Sequence, residues 1–332
     1  MKKLLNFTRH TEWWEYKLVP LLTVGYAVIY LNKYDFNISI IRLLILLVAV
    51  IIGATYVSII NDLTDIDEDA EAGKTNRMAD KPHWLRTLLV IACVLIGIYF
   101  GYIIYPDKVS IFFYSMSWIV FTLYSVPPFR LKKRGLWGVF CDASGAHFFP
   151  ALLVTYNLAT VVGLQCNITW LAAVGIWALA YGLRGILWHQ FYDRDNDLLS
   201  NTTTFATHIN PQNFRIPETI LFTIEIAAFA AMLFYIFNWF ILVSIVCYLL
   251  LVSIRIKAFR YQTTIIISPK AAPYQLLMND YYLCFFPLAL LVTNAVNYQY
   301  GWIVLIVHLL LFPRKTIFVL KDYRLFLRQK IA

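Results

Sequence analysis

Two carboxylate clusters in this 332-residue sequence carry the residue types needed for metal-assisted phosphate chemistry. The first, Asn61-Asp62-Leu63-Thr64-Asp65-Ile66-Asp67-Glu68-Asp69, follows directly on the apolar run 38–60. The second, Asp193-Arg194-Asp195-Asn196-Asp197, follows another apolar run about 130 residues later. If a helix continues through the first cluster, a step of about 100° per residue gathers Asp62, Asp65 and Asp69 within roughly 60° and leaves Asp67 off that face. Asp193 and Asp197 are one helical turn apart, while Asp195 points away. Five carboxylates around one cavity raise one another's pKa values unless a cation neutralises them. Mg²⁺ fits, because it takes oxygen ligands, keeps several waters and bridges carboxylates to substrate phosphates. The expected chemistry is therefore a diphosphate held between two metal-binding clusters. A solvated acidic loop explains one such cluster more easily than two. An EF-hand reading fails, because the required glycine and terminal Glu spacing are missing.

The elements that must position these carboxylates are membrane helices. The chain is 60% hydrophobic and 14% charged, with a mean hydropathy of +0.65, whereas soluble proteins carry roughly 25% charged residues. Apolar runs predict helices at 17–32, 38–60, 84–105, 109–126, 137–163, 169–190, 216–236, 238–256 and 281–297, with a shorter final run at 301–313. The expected fold is all-α: a polytopic transmembrane bundle of nine to ten helices around a central cavity, forming one domain over 1–332. Of the 28 Lys and Arg residues, 24 fall at the N-terminus, in the even-numbered loops or in the tail, which places these segments on the cytoplasmic side of the cell (inner) membrane. The six tail charges join them if 301–313 crosses back, which favours ten crossings. The basic tail, 313–332, interleaves Phe318, Tyr323 and Phe326 with charge and reads as an interfacial segment on anionic lipid. The net charge of +9 thus reflects membrane lipids rather than nucleic acid. Met1 to Tyr16 has no signal-peptide pattern. The five cysteines are scattered and form no C-x-x-C pair, so neither a disulfide framework nor a zinc site is expected.

Asp142, His147, Arg184 and Glu225 fall within predicted spans. Charge in hydrocarbon is costly and marks functional sites by default. Asp142 is close enough to the cytoplasmic side to orient an acceptor, and His147 is a candidate base or a structural histidine. Arg184 is placed to pair with a carboxylate or to reach phosphate. Glu225 has no assigned role.

The motifs bear a family resemblance. Asn61-Asp62-x-x-Asp65-x-x-x-Asp69 resembles the N-D-x-x-D-x-x-x-D motif of the UbiA superfamily of intramembrane prenyltransferases, which includes hydroxybenzoate- and chlorophyll-synthase-like members. Asp193-x-x-x-Asp197 is similar to its second motif, D-x-x-x-D, with His189-Gln190 before it as in one branch. Tyr124-Ser125-Val126-Pro127-Pro128-Phe129-Arg130-Leu131-Lys132 resembles a segment found between the family's fourth and fifth helices. Departures are Leu198-Leu199-Ser200-Asn201 where many members have a glycine and a basic residue, Lys17 three residues before Pro20 instead of Arg-Pro, and no Y-x-x-x-K from Tyr124.

The resemblance implies Mg²⁺-dependent transfer of an isoprenyl group from a prenyl diphosphate donor to a lipophilic, aromatic acceptor within the membrane. Asp62, Asp65, Asp69, Asp193 and Asp197 would be the metal ligands. Asn61, Lys74, Arg77, Tyr124, Arg130, Lys132 and Arg184 would bind substrate. A terpene cyclase of the same superfamily would quench the cation internally. An ion-coupled transporter is a third reading, but transporters usually place charge mid-helix and show interrupted helices or repeats, whereas here the acidic clusters stand at one membrane face and no convincing repeat is seen.

Overall fold

The computed structural model describes residues 10–33, 35–71, 73–199 and 202–331. Lys2, Lys3 and Arg9 of the N-terminal charge count, and Ser200-Asn201 after the second cluster, lie outside the described residues. In chain order the helices are α1 (His10–Asn32), α2 (Phe36–Thr64), α3 (Ile66–Glu71), α4 (His83–Ile104) and α5 (Lys108–Ser125). They continue with α6 (Leu136–Ala143), α7 (Phe149–Thr160), α8 (Ile168–Leu199), α9 (Arg215–Ile236) and α10 (Trp239–Lys257). The last are α11 (Phe286–Asn297), α12 (Gly301–Leu311) and α13 (Pro313–Ile331). Five-residue π-turns, Ser144–Phe148 and Tyr281–Phe285, lead into α7 and α11. The expected all-α membrane bundle is the observed fold.

Burial follows from which faces are apolar. Residues 18–29 of α1 are all buried, so this helix is enclosed by its neighbours, as an all-round apolar helix must be. It packs on α2, α7 and α11. By contrast, α4 is mostly exposed and turns its Ile, Leu and Tyr side chains outward, toward lipid. Among the described residues, six helical segments are long and apolar enough to cross a membrane: Phe36–Thr64, His83–Ile104, Leu136–Thr160, Ile168–Leu199, Pro211–Ile236 and Trp239–Lys257. A seventh crossing arises if α12 and α13, bent by 83°, count as one span. The expected nine to ten crossings exceed this number because α1, with Glu15 and Lys17, and α5, only 18 residues long, are less apolar, and because the helical segment 281–297 is short. The short run expected at 301–313 is one arm of this bent pair. At about 1.5 Å per residue the eleven residues of α12 cover roughly half of a 30 Å hydrocarbon core.

The sharp bend has a local cause. Glu15 of α1 is buried and accepts hydrogen bonds from Arg314 N (2.9 Å) and Lys315 N (3.2 Å), capping the first turn of α13. One element has no helical signature: the loop between α10 and α11 pairs β1 (Gln262–Thr264) with β2 (Tyr274–Leu276) in parallel. Glu218 at the start of α9 pins this loop by accepting Ile266 N at 2.9 Å and Ile267 N at 2.8 Å.

Candidate active site

Beside the two acidic clusters lies a cavity of about 850 Å³. Asn61, next to Asp62, and His189, one turn before Asp193, line this same cavity. Lys74, in the loop after the first cluster, acts electrostatically on Asp197 of the second. Residues flanking the two motifs, Asn61 and His189, thus share one cavity.

The first cluster does not form one continuous helix. α2 ends at Thr64, Asp65 leaves the helical path (φ −109°, ψ 4°), and the chain restarts as α3. This corrects the expectation that Asp62, Asp65 and Asp69 share a face. Asp65 turns to the segment after α5, pairing with Arg130 at 2.7 Å and with Lys132. Arg130 adopts a left-handed backbone (φ 39°) that aims its guanidinium at Asp65 and Glu68, and Lys133 also pairs with Glu68. Arg130 and Lys132, expected on phosphate oxygens, are thus engaged by carboxylates of the first cluster. Burial pushes the Lys132 ammonium below the usual lysine range, against the opposing hydrogen bond to Asp65.

Asp62 is fully buried, and Arg77 Nη1 lies 3.9 Å from its Oδ2. A turn after α3 folds back over this cluster. Asn76 Nδ2 donates to the Asp62 carbonyl and to Asp69 Oδ2, both at 2.8 Å, and Asn76 Oδ1 accepts Met78 N at 2.9 Å. Sequence reasoning missed Asn76; its one signal is its position between Lys74 and Arg77. Asn61 accepts a hydrogen bond from Ser125 at the end of α5, tying the two motif segments together.

In the second cluster the helix does continue, since α8 runs unbroken to Leu199. Asp193 lies 3.5 Å from His189 Nδ1, and Asp197 accepts from Thr204 Oγ1 at 3.4 Å. Asp195 points away as expected and pairs with Lys270 at 2.7 Å. Tyr124 and Arg184 both line the cavity. Arg184 is buried and makes a two-pronged ion pair with Glu225, at 2.6 and 2.8 Å, which assigns Glu225 a role. Further charged residues that sequence spacing did not connect line the same cavity: Lys17 beside Asp142, and Arg255 with Asp280 and Lys315. These pairs join positions 25 to 125 residues apart, so no local pattern reports them.

The candidate donors in the two motifs are oxygen: the carboxylates of Asp62, Asp69, Asp193 and Asp197 and the amide of Asn61, with no cysteine in either motif. Among the described residues, no three His, Cys, Asp or Glu side chains form a ready-made metal cage. Oxygen donors suit Mg²⁺, which takes one or two carboxylates and completes its shell with water and substrate phosphate. They do not fit the closed N/S sites of zinc.

Comparison with known proteins follows this geometry. Among solved structures, a UbiA homologue from Archaeoglobus fulgidus bound to DMAPP and Mg²⁺ is similar over 92% of this chain and 99% of its own, with a TM-score of 0.59 and 17% identity. The same homologue bound to GPP and Mg²⁺ gives 91% and 99% coverage, a TM-score of 0.56 and 16% identity. No curated protein matches the sequence. The sequence model of the UbiA prenyltransferase family matches residues 18–272, and the chain belongs to that family.

Proposed function

We propose that this protein transfers an isoprenyl group from a prenyl diphosphate to a lipophilic acceptor inside the membrane, with Mg²⁺ as cofactor. The observation that carries the reading is the convergence of Asn61 and His189, neighbours of the two acidic clusters, on one cavity with Lys74 reaching Asp197. The similar A. fulgidus structures, bound to DMAPP or GPP with Mg²⁺, support the donor class and the cofactor.

In this mechanism Asp62 and Asp69 on one side, and Asp193 and Asp197 on the other, would hold the metal and the diphosphate. Bound Mg²⁺ would supply charge neutralisation for the leaving diphosphate, allowing the allylic C–O bond to ionise. Lys74 and Arg77 add positive charge beside the same carboxylates. Asp65 serves this site indirectly: its pairing with Arg130 and Lys132 holds the 124–133 segment against α2. The prenyl chain lies along the aromatic lining, which includes Tyr56, Trp118 and Phe121, where ring faces stabilise an allylic cation and exclude water. The N-terminus and the mouth face the cytoplasm in this reading.

The test is release of diphosphate from geranyl diphosphate in detergent, with and without Mg²⁺. Asp62→Ala and Asp193→Ala each abolish release while the protein stays folded, and EDTA abolishes release by the wild type. Full activity in both variants refutes the reading. Product mass spectra separate transfer from cyclisation, because a cyclase needs no second substrate.

A further inference from the structure

The cavity reaches well past the mouth, and its deeper lining is not uniform. From α2 and α5 come small and aromatic residues, among them Ala49, Gly53 and Trp118. From α1 and the α6 region come Lys17, Asp142 and His147. Lys17 Nζ lies 3.5 Å from Asp142 Oδ1, and the two side chains are 33% and 17% exposed, so the pair faces open space. Charge at this position within membrane helices is costly, and neither residue belongs to the clusters that hold the donor.

In a regular α-helix, residues five apart diverge by about 140°. Here the π-turn Ser144–Phe148, closed by Phe149 N donating to Ser144 O, contains His147 and starts two residues after Asp142, and both side chains line the cavity. Such turns are found preferentially at functional sites. Gly182 of α8 permits this packing: a Cβ there would meet Ala143 O and His147 Cδ2, each at 3.0 Å. The imidazole rests edge-on against Tyr181, with centroids 5.3 Å apart at 84°. Among the described residues, no hydrogen bond holds either ring nitrogen.

We propose that Asp142 and His147 form the proton-accepting end of the acceptor subsite, an assignment that rests on the prenyl-transfer reading. Asp142, steered by Lys17, accepts a hydrogen bond from a hydroxyl of a hydroxy-aryl acceptor. His147 takes the proton that the acceptor gives up. In this step the donor's allylic C–O bond breaks, with both electrons leaving on the diphosphate. The acceptor's nucleophilic atom forms the new bond to the allylic carbon with its own electron pair. The proton displaced from that atom passes to a ring nitrogen of His147, and from there to water at the mouth.

The experiment uses the full-length protein with geranyl diphosphate and Mg²⁺. It measures diphosphate release without acceptor, and prenyl transfer to 4-hydroxybenzoate, 1,4-dihydroxy-2-naphthoate and homogentisate, with their O-methyl ethers as controls. His147→Gln is expected to lower kcat for transfer about 100-fold, in the range of a lost general base, while acceptor KM and acceptor-free release stay within about threefold. Imidazole restores part of the transfer activity of His147→Ala. Asp142→Asn raises acceptor KM about tenfold and removes the preference for the free phenol over its ether. Wild type that releases diphosphate yet prenylates none of the phenols overturns the assignment, as does an equal loss, or no loss, of release and transfer in the variants. Should both histidine variants fail to fold, Asp142→Asn decides alone. Wild type that releases no diphosphate refutes the prenyl-transfer reading itself.

Discussion

The ion pair between α8 and α9 offers a sharp quantitative test of how the cavity wall is held. Glu225 is 0% exposed and Arg184 is 2% exposed. The guanidinium Nε and Nη2 donate to the two carboxylate oxygens at 2.6 and 2.8 Å. Nη1 donates to the Leu277 carbonyl at 3.0 Å, and the guanidinium lies over the Tyr181 and Phe222 rings at 5.6 and 5.5 Å. Interhelical polar contacts in membrane proteins average about 0.6 kcal/mol, but that figure describes hydrogen bonds whose loss strands no charge. Arg184→Met leaves a buried, uncompensated carboxylate, and Glu225→Leu a buried guanidinium, so each is expected to cost about 3 kcal/mol or more. The double variant removes both charges and leaves only the Leu277 carbonyl without its donor, a loss of about 1 kcal/mol. The coupling energy is then several kcal/mol, far above the roughly 0.5 kcal/mol expected of independent sites. Reversible SDS titration in mixed micelles, followed by circular dichroism, measures all three variants against wild type. A single variant costing under about 1 kcal/mol, or a double variant as unstable as the sum, refutes the argument. If Arg184 is engaged this way and not by phosphate, the double variant also keeps the donor KM within about threefold.

Gly182→Ala places a methyl against the Ala143 carbonyl, and backbone yields poorly; a loss of about 1–3 kcal/mol in thermal unfolding is expected. Gly185, three residues on, has no atom within 4 Å of the point where a Cβ would stand, so it is the matched control, and Ala there leaves stability unchanged or raised. Asp322 of α13 holds the buried Arg255 Nε at 2.8 Å, so Asp322→Leu loosens α13 at a cost of roughly 1–3 kcal/mol. Limited proteolysis within 313–331 reads this loosening, and unchanged protection would refute it. At Glu68, burial acts to raise the carboxyl pKa, but hydrogen bonds from Lys133 and Arg130 outweigh it and hold the group below the usual glutamate range. A depressed folded pKa contributes stability above the unfolded pKa and loses it as pH falls through the folded one. The stability difference between wild type and Glu68→Gln, under about 1 kcal/mol at neutral pH because the group is partly exposed, therefore vanishes on acidification below that range. A difference that grows on acidification would reverse the sign of this reasoning.

Much was legible because it is written locally. Apolar runs near bilayer length, punctuated by residues such as Pro106, Pro127 and Pro211, mark most of the helices without reference to anything distant. The spacing of Asp193 and Asp197 holds because α8 stays helical through them. The same extrapolation failed at Asp65, where the helical path breaks. Periodicity assumes an uninterrupted helix, and it could not register that Arg130 and Lys132 would claim this carboxylate from 65 and 67 residues away. The strand pair 262–264 with 274–276 was missed for a similar reason, since it is pinned by Glu218 from another element.

The sequence alone therefore determined the membrane class and the two acidic motifs, because composition and helical period are local or additive properties. Only the tertiary structure decided which charges pair. Lys17 meets Asp142, Arg184 meets Glu225, and Asp65 meets Arg130 because enclosing α1 and closing the cavity bring those side chains together. The attraction between charges falls off with distance and strengthens with burial. Both quantities belong to the packed bundle, and neither can be read along the chain.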